Sequence, residues 1–181
     1  ILGSSTINTT GSAFSIGSLT LLDGTVNLGS NSHICTGNVG ASGSSYINNG
    51  PLTINGTLTI SGGGSLDLNS SVNIIGLTTL TGGSTLNTYS NATVFSAVTI
   101  TNGFINTNNN NYVCTGETTL TEGDFGNAGA YFTGTLTVGG GSAAKNIYVT
   151  DLVFTGTGSL YAQLTGVTLS NGPDNIYITN K

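Results

Sequence analysis

The chain repeats itself. The stretch "SLTLLDGTVNLGSNSHICTG" (Ser18 to Gly37) aligns without gaps on "AVTITNGFINTNNNNYVCTG" (Ala97 to Gly116), 79 residues later. A second stretch, "INGTLTISGGGS" (Ile54 to Ser65), matches "FTGTLTVGGGS" (Phe132 to Ser142) with one residue deleted. A shorter third copy, "TGVTLSNGPDNIYITN", runs from Thr165 to Asn180, with Ile178 where the other copies have cysteine. Self-similarity at a fixed offset marks a domain built by stacking one small unit on the next. The reading is a single domain over 1–181, with repeats at about 18–96 and 97–164 and a partial one at 165–181.

Inside that long repeat lies a shorter one. No window shows a 3.6-residue apolar period, and good helix formers are scarce. Short alternating segments recur instead, among them "GTVNL", "GTLTI", "GSLDL", "SVNII" and "GTLTV", each bounded by Gly, Asn or Ser. Pairs of threonine in the pattern T-x-T fall at Thr57/Thr59, Thr79/Thr81, Thr99/Thr101, Thr119/Thr121 and Thr135/Thr137, at spacings of 22, 20, 20 and 16. Extended to Thr20 and to Thr168/Ser170, with one unmarked step skipped on each side, the series spans 148 residues in eight steps, or 18.5 per step. The residues between these threonines are mostly apolar, so threonine is expected outside and Leu, Val and Ile inside. This predicts an all-β fold without helices, a β-solenoid with rungs of about 18–22 residues stacked ~4.8 Å apart in a column roughly 40 Å long. The alternative is a β-sandwich, whose longer strands do not explain a period near 19.

The units "GTLTI…GGGSLDL" and "GTLTV…GGGS" and the Asn-rich turns resemble the β-helix and β-solenoid segments of bacterial surface adhesins, autotransporter passengers and phage fibres. The likeness covers most of the chain and is to a class. It implies a fibrous surface protein.

Charge narrows the function classes. The chain holds two lysines (Lys145 and Lys181), no arginine and seven acidic residues. Two cations cannot neutralise a phosphate track, which excludes nucleic-acid binding and disfavours an anionic membrane surface. No apolar run is long enough to span a bilayer, and no basic-plus-apolar pattern of a signal peptide is read in the sequence. The first residue is Ile1, which fits a processed segment, and the Thr/Asn/Gly-rich composition without Met, Trp or Arg predicts an extracellular or cell-surface protein, a virion surface included.

Chemistry is sparse. Cys35 and Cys114 occupy equivalent places four rungs apart, about 19 Å by the stacking distance, too far for an intramolecular disulfide. The expected role is buried filler, with an intersubunit disulfide through Cys35 and Cys114 as the sharper alternative. The run Asn108 to Asn111 is expected to turn, since Asn tolerates left-handed angles and caps nearby amides, and stacked Asn can form ladders. His33, the single histidine, lies in no nucleophile motif. Glu117, Glu122 and Asp124 form a candidate weak Ca²⁺ site, otherwise a solvated turn, and too weak a constellation for a catalytic dyad. Asn8, Asn55, Asn69 and Asn91 sit in N-glycosylation sequons, about as many as the composition supplies by chance.

No cofactor and no catalytic or metal centre is expected. The expected function is a non-enzymatic extracellular structural protein that associates with copies of itself into a filament, fibre or surface assembly through uncapped β ends. The alternative is an adhesin or glycan-binding module with Tyr46, Tyr112, Tyr131 and Tyr177 as sugar platforms. Two lesser alternatives are a virion fibre and an ice-binding protein, the latter because T-x-T arrays resemble the ice-binding face of insect-type antifreeze proteins. Uneven rung length and the interruptions at Leu22 and Ser170 count against ice.

Overall fold

The computed structural model describes residues 5–9, 12–89, 93–108, 110 and 112–121, and beyond them the backbone of further strands as far as Ile178; side chains are described up to residue 121, Tyr112 excepted. All its regular structure among these residues is β, and every strand pairing is parallel. The fold is a β-solenoid.

Each rung lays strands on three faces. The first rung consists of Ser5–Asn8, Ser15–Ile16 and Leu19–Leu21, the second of Gly24–Leu28, His33–Cys35 and Val39–Ala41. The third has Ser44–Asn49, Leu52–Ile54 and Leu58–Ile60. In the fourth and fifth the last two faces merge, Ser65–Asn69 being followed by Val72–Leu80, and Ser84–Thr88 by Val94–Ile100. The sixth returns to three strands, Gly103–Asn106, Tyr112–Cys114 and Thr118–Leu120. Five turns thus carry the first face from Ser5–Asn8 to Gly103–Asn106, and it continues through Gly123–Gly126, Lys145–Tyr148 and Val167–Leu169. Val72–Leu80 and Val94–Ile100 run through the corner between the second and third faces, with a register shift between Ile74 and Leu77.

Alternation decides what is inside. Leu66 and Leu68 are buried while Ser65, Asp67 and Asn69 face out, and the same holds for Leu86 between Thr85 and Asn87. Because the strands are in register, inward residues form columns. One column runs Ile16, Cys35, Ile54, Ile74, Phe95, Cys114, and the backbone register carries the same position on through Phe132, Phe154 and Ile178. Burying each Ile or Phe of this kind contributes roughly 1.5–3 kcal/mol, and the inter-rung backbone bonds, such as Val39 N–H to Thr57 O at 2.8 Å, satisfy the polar main chain between them.

Corners are as regular as faces. Between the second and third faces, Gly17, Gly37, Gly56 and Gly76 stack, and the position continues through Ser96 to Gly116. A Cβ on Gly37 would come 2.1 Å from Gly17 O, and one on Gly56 2.4 Å from Gly37 O. Only glycine lets the chain pass so close to the rung before it. Gly62, Gly63, Gly82 and Gly83, with φ between +64° and +76°, make two superimposed left-handed turns between the third face and the first.

Candidate functional site

The cysteines lie in the interior column, both wholly buried. Four register steps separate them, through Ile54, Ile74 and Phe95, and the Ile178 that the sequence aligns with them occupies the same column. Each thiol reaches the corner glycine two residues on: Cys35 donates to Gly37 O at 3.5 Å and Cys114 to Gly116 O at 3.6 Å. Burial pushes the Cys35 thiol above its ordinary value, and backbone bonds from Gly37 and Leu19 oppose this. A bond to a second chain would require either sulfur to leave the core.

Asparagines line one outer track of the first face. Asn27 donates to Asn8 Oδ1 at 2.7 Å, Asn48 to Asn27 Oδ1 at 2.9 Å, and Asn69 to Asn48 Oδ1 at 2.6 Å. This is a hydrogen-bonded ladder across four rungs. It falls on strand-end asparagines rather than on the amide run. In that run Asn108 has φ 49° and Asn110 donates its carboxamide to Thr107 O at 2.9 Å and Thr88 O at 3.2 Å, so both act as turn caps. Asn109 and Asn111 lie outside the described residues.

The threonines need a corrected register. Thr59, Thr79, Thr99, Thr119 and Thr137 are the paired set, at spacings of 20, 20, 20 and 18. Counting each pair from its first threonine shifts the end pairs by two residues and produces the apparent 22 and 16. Thr168 belongs to the first face, opposite Asn146, and is no part of the series. Upstream the column continues through Gly40 to Thr20, and downstream to Tyr161, a step of 24 residues. Thr78 and Thr118 point inward and are fully buried, so not every threonine of these strands is a surface residue.

The residues with chemical potential are scattered. His33 is buried; its Nδ1 accepts the Phe14 N–H at 3.3 Å, its ring lies 4.4 Å from the Phe14 ring, and its Nε2 has no partner. Glu117 is exposed and accepts from Thr119 Oγ1 at 3.4 Å. Glu122 lies outside the described residues, as does the side chain of Asp124, and among the described residues no three His, Cys, Asp or Glu side chains converge. Of the sequon residues, Asn8 and Asn69 are engaged in the ladder, Asn55 is exposed at a corner, and Asn91 lies outside the described residues. A cavity of about 240 Å³ at the first rungs has apolar walls, including Ile7, Phe14, Ile16, Leu19 and Val26, and offers nothing to orient a polar ligand.

No protein-family model matches this chain, no curated protein matches it, and no solved structure matches it.

Of the tyrosines singled out in the sequence, Tyr46 is exposed on the first face, while the side chains of Tyr112, Tyr131 and Tyr177 are not among those described. Sequence reasoning missed Tyr89, which is half exposed and takes the next position of the asparagine ladder. Desolvation, then the charge of Asp67 and the neighbouring Tyr46 phenol, push the Tyr89 phenol above its ordinary value. The available signal was spacing: Tyr89 stands 20 residues after Asn69, one rung length.

Proposed function

We propose that this chain is a non-enzymatic structural element of an extracellular assembly, a rod whose copies join along the solenoid axis into a filament, fibre or surface array. The observation that carries the reading is the edge of the first rung. Thr9 N–H donates toward the second rung, to Asn27 O at 2.9 Å. Alternation along a strand therefore turns the N–H and C=O of Thr6 and Asn8 the other way, outward along the axis. Wherever no further rung covers it, an edge of this kind is a template for another parallel strand. Docking the far end of a second copy there repeats a contact that does not close, and such contacts make filaments. Few charges oppose the approach, with two cations and seven acids in 181 residues. Placement outside the cell rests on the hydroxyl- and amide-rich composition.

The test is negative-stain electron microscopy with sedimentation velocity, on the chain itself and on a Thr6→Pro/Asn8→Pro variant. Proline on an edge strand removes the outward donors, here together with the one ladder bond that Asn27 makes to Asn8 Oδ1, and is otherwise tolerated there. Concentration-dependent rods longer than one subunit, shortened in the variant and unchanged by reductant, are the expected result. Single short particles at every concentration would overturn the proposal.

A further inference from the structure

The first face carries a cluster that a plain rod has no need of. Two neighbouring outward tracks cross three rungs there. One reads Tyr46, Asp67, Asn87 and the other Asn48, Asn69, Tyr89. The two tyrosines stand at opposite corners, 40% and 49% exposed, with Asp67 and Asn69 between them. Two rung steps and one two-residue step along a strand place their Cα atoms about 12 Å apart.

The polar groups between the rings are fixed and incompletely used. Asp67 Oδ1 accepts from Asn87 Nδ2 at 2.7 Å and from Ser65 Oγ at 3.4 Å, which orients the carboxylate and leaves Oδ2 open. Asn69 is the last rung of the ladder: its Nδ2 donates to Asn48, and its Oδ1 has no asparagine beyond it because Tyr89 follows. Among the described residues the site thus presents two open acceptors between two exposed aromatic side chains.

We propose that Tyr46, Asp67, Asn69, Asn87 and Tyr89 form a binding subsite for a neutral pyranose oligosaccharide. The axial C–H face of one sugar packs on each tyrosine ring, and hydroxyls of the chain donate to Asp67 Oδ2 and Asn69 Oδ1. Asp67 disfavours an anionic glycan. A single quaternary ammonium ion, held in an aromatic cage within about 6 Å of each ring, is the competing occupant. An extended ligand about two sugars long spans them. This inference is independent of whether the rods polymerise.

Isothermal titration calorimetry of the chain with cellohexaose, xylohexaose, mannohexaose and chitohexaose, and with choline as comparator, tests it. At least one hexasaccharide is expected to bind saturably, with amide shift changes confined to the strands Ser44–Asn49, Ser65–Asn69 and Ser84–Thr88. Tyr46→Ala and Tyr89→Ala are each expected to weaken binding about tenfold or more, a loss of about 1.4 kcal/mol, and Asp67→Ala likewise. Thr99→Ala, on the third face, is expected to leave affinity unchanged. Melting curves identify any variant that loses affinity by unfolding, and Tyr46→Phe, which keeps the ring, is expected to retain binding. Absence of saturable binding to all four sugars, binding of choline alone, or sugar binding that survives both tyrosine truncations would each overturn the proposal.

Discussion

Gly56 lies directly over Gly37, so close that a Cβ on Gly56 would stand 2.4 Å from the Gly37 carbonyl oxygen. Gly56→Ala is therefore expected to destabilise the fold by about 1–3 kcal/mol, the usual cost of overpacking. Gly40 is the contrast, with nothing within 4 Å of its missing Cβ, and it interrupts the outer column between Thr20 and Thr59. Gly40→Thr is expected to leave stability unchanged or raise it by about 0.5 kcal/mol or more. Urea unfolding should show a lowered midpoint for Gly56→Ala and an unmoved or raised one for Gly40→Thr. Equal losses would refute the corner-glycine account.

The asparagine ladder is tested at its centre. Asn48→Ala removes one bond to Asn27 and one from Asn69, and about 1 kcal/mol should go with them. Asn55→Ala, at an exposed corner, should stay within about 0.5 kcal/mol of the parent. Matching effects at the two positions would mean that the carboxamide chain adds nothing.

Thr78 offers a gain. Its hydroxyl is fully buried without a partner, in an inward column between Leu58 and Val98. Thr78→Val keeps the shape, removes the stranded hydroxyl and is expected to stabilise by about 1 kcal/mol. A lower unfolding midpoint would instead reveal a polar contact there.

Alkaline pH should weaken the fold through Cys35. Burial holds its folded pKa above the ordinary 9.0, so in the window above that value the native state keeps a proton that the unfolded chain gives up. Stability is complete below that window and falls as pH rises through it toward the folded pKa. The measurement is urea unfolding at stepped pH for the parent and Cys35→Ala, the variant showing the shallower decline above pH 9. A thiol reagent should react with neither cysteine until unfolding begins. Parallel pH profiles for parent and variant would contradict the assignment.

Much of the fold was legible because the same residue types recur one rung apart. The 79-residue offset that aligns Cys35 with Cys114 equals four register steps, and Ile178 does fall in their column. Register itself was harder. Thr57 and Thr59 look alike in a string, and only pairing reveals that Thr59, not Thr57, lies opposite Thr79. The corner glycines give a steadier ruler, since Gly17, Gly37, Gly56 and Gly76 recur every 19 or 20 residues under a steric constraint that threonine does not feel. The surface cluster was illegible for another reason. Tyr46, Asp67 and Tyr89 come from three rungs, and their proximity exists only once the stacking phase is known.

Parallel stacking also sets how the molecule carries load. Its inter-strand hydrogen bonds lie along the long axis, so tension on that axis pulls each seam apart across three faces together, while successive seams share the same force in series. A seam's resistance then depends on how many residues pair across it. The ribbon of Val72–Leu80 against Val94–Ile100 pairs six residues across its two faces, on either side of a register shift. The joint above the first rung, where Ser15–Ile16 supplies only two paired residues to its face, is among the weakest. Stretched end to end, the column is expected to fail at a short-paired joint, the one above the first rung or the one between Val94–Ile100 and Tyr112–Cys114.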